Sequence, residues 1–254
     1  IWSDTDVTFT GSGTLNVKGD RSGISIGKKA EVSINLEQDG KINATSPYSV
    51  NESGYNRHGI ESYGKLTIKR GTVTANGPYS GLYQSGGTFN ITGGTLVTAG
   101  SSSMVQAITA SDNKSTLNLY FTETQKANTL VSITDESGNL VCAYKPTKDF
   151  QNIVIYNSDI LKNKKYTVSV GGTITGESVN GYYESGTVTD AEKLCTFTPI
   201  SSITSITDTG EARAERGTDG GFGGPRGEKR ENFDGTKNKE NKDSSTETTT
   251  SQAK

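Results

Sequence analysis

The chain has 254 residues, 30% of them hydrophobic, with 31 glycines, five prolines and a formal net charge of −2. A near-neutral balance without a basic cluster speaks against nucleic acid as partner. The Gly, Thr and Ser load, with no sustained i, i+3, i+4 apolar stripe, excludes long helices. There is no apolar run long enough to span a membrane and no secretory h-region.

From the first residues onward one pattern repeats: two alternating apolar residues, a glycine, then a second alternating pair. The copies are Val7/Phe9, Gly13, Leu15/Val17; Val32/Ile34, Gly40, Ile42/Ala44; Leu66/Ile68, Gly71, Val73/Ala75; and Phe89/Ile91, Gly94, Leu96/Thr98. Alternation with period two marks a short strand with one buried face, and a glycine between two strands marks a bend. The glycines are 27, 31 and 23 residues apart, within the range of a solenoid coil. A third mark follows each bend at Gly23-Ile24, Gly59-Ile60 and Gly81-Leu82. Each coil then has three strands and three turns, as in a parallel β-helix. The third mark comes late after Gly40, where 45-TSPYSVNESGYNRH-58 is a polar insertion. Insertions in solenoids gather on one face, often the binding face.

Past Gly94 the coil pattern stops at Met104-Val105. Residues 105–206 read as strands at 116–121, 129–134, 139–144, 152–156, 165–170 and 194–198, separated by turn formers such as 135-DESGN-139. These predict a small antiparallel β cap or sandwich that covers the end of the coils. Residues 207–254 lack Leu, Ile, Val, Met, Trp and Tyr and mix nine basic with ten acidic residues. Such a tail cannot bury enough surface to offset its ordering entropy, so it is expected to be disordered. The predicted organisation is all-β: 1–104 parallel coils, 105–206 antiparallel cap, 207–254 tail. Met104 is the only methionine, so Ile1 is not a translation start and the chain reads as a processed or truncated piece of a longer solenoid. Cys142 and Cys195 both sit in strand-like runs, as two buried thiols or as a pair in an oxidising compartment.

The runs 11-GSGTLNVKG-19, 93-GGTLVTAGSSSM-104, 149-DFQNIVIYNSDIL-161 and 165-KYTVSVGG-172 resemble a bacterial secreted carbohydrate-binding family. The likeness spans residues 1 to about 200 and extends to the Gly-rich polar tail. It implies a right-handed parallel β-helix, calcium as a bound ion, and acidic plant-wall polysaccharide such as polygalacturonate as ligand. It also implies a secreted or cell-surface location; a monomer is expected. The family's coil turns read Asp-Asp-Gly-Ile, whereas the corresponding turns here are 21-RSGI-24, 57-RHGI-60 and 80-SGL-82, without the acids that would hold calcium.

Sugar rings stack on aromatic side chains, while their hydroxyls and carboxylates need planar donors and acceptors. The insertion and its neighbours offer Tyr48, Tyr55, Arg57, His58 and Tyr63, and the next coil adds Tyr79 and Tyr83. Stacked coils would set these as a ladder, with Arg57 pairing a uronate carboxylate and the basic doublets Lys28-Lys29 and Lys69-Arg70 adding charge if they share its flank. Otherwise the tyrosines shield turns, and His58 caps a bend. Outward-facing positions are Thr8, Asn16, Ser33, Asn43, Thr67, Thr74, Asn90 and Val97, where a hydrolase would need two carboxylates. The expectation is a non-catalytic module that holds polysaccharide. The alternatives are an inert surface stalk or adhesin, for which hydroxyl ladders serve equally, and, less favoured, a polysaccharide lyase.

Overall fold

A computed structural model describes residues 1–47, 57–102, 105–106 and 108–214, and these residues form strands and turns without a helix. The first twelve strands come in four rounds of three. They are β1 (Trp2–Ser3), β2 (Val7–Phe9) and β3 (Thr14–Lys18); β4 (Ser22–Ile26), β5 (Glu31–Asn35) and β6 (Lys41–Thr45); β7 (His58–Ser62), β8 (Lys65–Arg70) and β9 (Thr72–Asn76); and β10 (Ser80–Gln84), β11 (Phe89–Ile91) and β12 (Thr95–Gly100). The opening strands of the rounds form one sheet, the middle strands a second, and the closing strands a third. Every pairing among these twelve is parallel. Parallel neighbours need a long return connection, and here two strands of the other sheets supply it.

Alternation decides which side is buried. Ile24 pairs with Ile60 and Ile60 with Leu82; Val32 and Ile34 pair with Leu66 and Ile68; Ile42 and Ala44 pair with Val73 and Ala75. All are buried in one core that runs through the four rounds. Each fully buried aliphatic side chain of this size contributes about 1.5–3 kcal/mol. The glycine at the second position of β4, β7 and β10 (Gly23, Gly59 and Gly81) is a packing requirement. A Cβ on Gly59 would stand 2.6 Å from Asn76 N and 2.7 Å from Gly81 O, so only glycine lets the first sheet press against the backbone of the third. The bend before β9 has a different reason: Gly71 has φ of 88°, a conformation that favours glycine.

Ten further strands follow: β13 (Thr116–Gln125), β14 (Val131–Asp135), β15 (Leu140–Tyr144), β16 (Phe150–Tyr156), β17 (Tyr166–Val170), β18 (Thr173–Ile174), β19 (Tyr182–Tyr183), β20 (Val188–Thr189), β21 (Glu192–Phe197) and β22 (Ile203–Thr207). Three of them extend the third sheet. β16 lies antiparallel on β12, β13 antiparallel on β16, and β22 parallel on β13. The fourth sheet, β19-β15-β14-β17-β21, is antiparallel throughout, and β18 pairs with β20. The third sheet thus runs across the boundary expected near residue 104.

The other two sheets are also closed after the fourth round. The Gln106 side-chain amide bonds both the backbone N–H and the carbonyl of Gln84 on β10, and Ala110 bridges Ile91 of β11. The fourth sheet does not sit only at that end. Val97, Ala99, Leu117, Leu119, Ile153 and Ile155 of the third sheet share a second core with Ile133, Tyr144, Val168 and Phe197 of the fourth. Leu96, Tyr120, Val154 and Tyr156, from the same third-sheet strands, belong to the first core. Two cores therefore share one sheet. Val97, expected to face outward, does so into the second core and is fully buried.

Cys142 and Cys195 are both free and buried. They lie on β15 and β21, three strand positions apart in the fourth sheet. At about 4.8 Å per position that is about 14 Å, beyond disulfide reach. Burial pushes the Cys142 thiol up to about 12. Among the described residues no helix is long and apolar enough to cross a membrane.

Candidate functional site

One row of side chains crosses the outer face of the first sheet. Trp2 pairs with Ser25, Ser25 with Glu61, and Glu61 with Tyr83. Ser25, Glu61 and Tyr83 each stand one residue beyond a core position, at Ile24, Ile60 and Leu82, so they point away from the core, and Trp2 continues their row. Four strands at about 4.8 Å spacing place Trp2 and Tyr83 about 14 Å apart, with a carboxylate between them.

Glu61 is the hub. Its side chain is 1% exposed and accepts four hydrogen bonds. Oε1 takes Arg21 Nη2 at 3.1 Å and the Tyr63 hydroxyl at 2.7 Å; Oε2 takes the hydroxyls of Ser22 at 3.2 Å and Ser25 at 3.5 Å. A carboxylate has about four lone-pair sites, so this one is filled. The Arg21 side chain is 64% exposed, and its remaining N–H groups stand at the surface. Tyr63 responds to its neighbours: burial, then the hydrogen bond to Glu61, push its hydroxyl up to about 12.

These residues border a cleft of about 390 Å³, lined by Ile1, Trp2, Arg21, Ser22, Ser25, Glu61 and Tyr63. Trp2 is 69% exposed, the most open large aromatic among the described residues. The cleft offers a ring to stack on, a guanidinium fixed on one side by a carboxylate, and three hydroxyls. That combination suits a sugar.

Next to the cleft, four rings pack in series. The His58 and Tyr83 rings are stacked at 4.5 Å and 11°, Tyr79 meets His58 edge-on at 6.3 Å, and Tyr63 meets Tyr83 edge-on at 6.3 Å. His58 is fully buried. The Ser80 hydroxyl donates to the Leu82 carbonyl, so the 2.8 Å contact between Ser80 Oγ and His58 Nδ1 takes its proton from the imidazole. Nε2 is then a bare lone pair, buried without a hydrogen-bond partner. Burial holds the ring's pKa down at about 4, with Arg21 adding to that and Glu61 opposing it.

Of the residues singled out from the sequence, the structure brings His58, Tyr63, Tyr79 and Tyr83 together on this face. Arg57 directly precedes His58, and its carbonyl accepts the Tyr79 N–H at 3.1 Å. Tyr48 and Tyr55 lie outside the described residues. Among the described residues Tyr83 spends one face on His58, and the most exposed ring is Trp2. His58 is likewise the first residue of a strand with a side-chain partner in the next round. The basic doublets do not gather. Lys28-Lys29 lie between β4 and β5, Lys69-Arg70 end β8, and Arg57 directly precedes β7.

Trp2, Arg21, Ser22, Ser25 and Glu61 were not among the sugar-binding candidates. The single tryptophan was the available signal for the first, while the partners of Glu61 lie 36 to 40 residues away along the chain, apart from Tyr63. The turns that the family resemblance aligns with calcium ligands present Arg21, Ser22 and His58. A guanidinium and a buried imidazole with one donor committed do not fit a calcium site there. Among the described residues no group of three or more His, Cys, Asp or Glu is placed to hold a metal. Compared with family models, curated proteins and solved structures, the chain matches none of them.

Proposed function

We propose that the four rounds wind as a right-handed parallel β-helix and that the chain is a secreted or surface-attached module that holds uronate-rich polysaccharide without cleaving it. The winding is supported by the unbroken rotation through three parallel sheets. The function is supported above all by one juxtaposition: an exposed Trp2 beside Arg21, with Arg21 fixed by the buried Glu61. In this reading a pyranose ring lies on Trp2 and its carboxylate meets the free N–H groups of Arg21. Glu61 is a positioning residue whose four donors leave it no lone pair for substrate. Hydrolysis by a carboxylate pair needs a second acid, and among the described residues Glu61 is the only acidic one lining the cleft.

Affinity electrophoresis of the full chain in gels containing polygalacturonate, with calcium or with chelator, tests this. The expected result is retardation with the polymer left intact, lost in Trp2→Ala and in Arg21→Ala. Glu61→Gln is expected to weaken retardation, and Glu61→Asp to restore part of it. Shortened polymer with unsaturated ends would replace the reading with a lyase. Unretarded migration would favour the second reading, an inert stalk, which the mutual packing of the four rings supports.

A further inference from the structure

We propose that the outer face of the second sheet is a second glycan site, so that one chain holds two polysaccharide strands on adjacent faces. The idea rests on the polysaccharide reading above but uses none of the residues of the Trp2 cleft.

A groove of about 750 Å³ crosses β5, β8 and β11. Its floor is the row Ser33, Thr67, Asn90, which are register partners on successive strands. Residues 109–111 form part of its lining, held at that edge by the Ala110 bridge to Ile91. The row sets hydroxyl, hydroxyl and amide at the strand spacing of about 4.8 Å. Each of these groups both donates and accepts. An extended chain of pyranose units repeats its own hydroxyls at a comparable interval, so a glycan lying along the row meets one protein group per unit.

Two further observations point to a ligand. Ser33 Oγ is buried and has no hydrogen-bond partner, an unused donor and acceptor in the floor itself. Lys65 and Lys69 flank Thr67 on the same face of β8. Lys65 is held by Glu31 at 3.1 Å, whereas Lys69 has no ion pair among the described residues. Lys69 is thus the group that would take the carboxylate of an acidic unit. The two faces differ in kind: the cleft recognises a ring by stacking, and the groove recognises a strand by its edge hydroxyls and one charge.

Calorimetric titration of the full chain with an oligogalacturonate of one defined length decides the matter. Wild type should take two oligosaccharides. Thr67→Trp, which fills the groove floor, should reduce this to one. Trp2→Ala with Arg21→Ala should also leave one, and the three changes together should leave none. Lys69→Glu gives a gentler check, with one of the two sites weakened at least tenfold. Circular dichroism and melting of each variant verify that the fold is kept. If the Trp2/Arg21 pair of changes alone removes all binding, the groove is not a site while the cleft stands. If Thr67→Trp alone removes all binding, the groove stands and the cleft does not. Two sites persisting in Thr67→Trp, or no binding by wild type, overturn the proposal.

Discussion

On the outer face of the third sheet, Asn76 lies beneath another sheet. Tyr144 of the fourth sheet donates to its Oδ1 at 2.9 Å, and both residues are buried. On the outer face of the first sheet, Glu61 and His58 are equally buried, but the cover is made of side chains: Arg21, Tyr63, Tyr79 and Tyr83. A polar group covered by a sheet is fixed by the fold, and nothing reaches it without unfolding. One covered by a long side chain can be uncovered by a rotamer change, at a cost far below that of unfolding. The same degree of burial therefore means structure on one face and an approachable site on the other.

Mutations sharpen this contrast, and the covered face should yield the largest effect. Ile155→Ala opens a hole between the two stacked sheets and should lower unfolding stability by about 2–5 kcal/mol, measured by chemical denaturation. Acid comes next. The folded pKa of His58 is lowered from 6.5 to about 4, so the unfolded chain binds the extra proton between those values. Its contribution is fully present above pH 6.5 and is lost as pH falls toward 4, reaching about 3 kcal/mol. Wild type should lose stability more steeply over that window than His58→Gln; parallel curves would show that the imidazole is not protected.

Tyr144→Phe strands the Asn76 oxygen under the fourth sheet and should cost about 1–3 kcal/mol. Tyr63→Phe removes a hydrogen bond of similar length from Glu61, but three donors remain and water can reach the site, so about 1 kcal/mol is expected. Equal losses in these two variants would erase the distinction between the faces. Lys65→Met breaks a pair whose side chains are 44% and 63% exposed, and should change the melting curve by less than about 0.5 kcal/mol.

Much of this architecture was legible in local order. The alternation around Val32/Ile34 and Leu66/Ile68 marked strands that pair residue for residue, and the outward positions Thr8, Ser33, Thr67 and Asn90 form one register row. The strand runs from 116 to 198 also appear within a few residues of their expected ends. What stayed hidden was pairing at long range. Nothing in 95-TLVTAG-100 announces that its next neighbour is residues 152–156 in reverse, or that a sheet will cover Val97. Of the candidate site's lining, Tyr63 was legible by residue type, as were His58, Tyr79 and Tyr83 beside it. It was not legible at Glu61, because an acid at a strand's outer position looks solvated until Arg21, Ser22 and Ser25 arrive from the preceding round.

The reversed strand beside β12 also bears on how this molecule can vary in length. A parallel stack has no intrinsic stopping point, since every round presents the next with the same hydrogen-bonding edge. β16 ends that succession by offering β12 an antiparallel ladder, and Gln106 and Ala110 close the other two edges. Rounds inserted or deleted ahead of Ser80 would leave these three edge contacts, on β10, β11 and β12, in place. The number of rounds and the stop at their end are therefore set by separate parts of the chain.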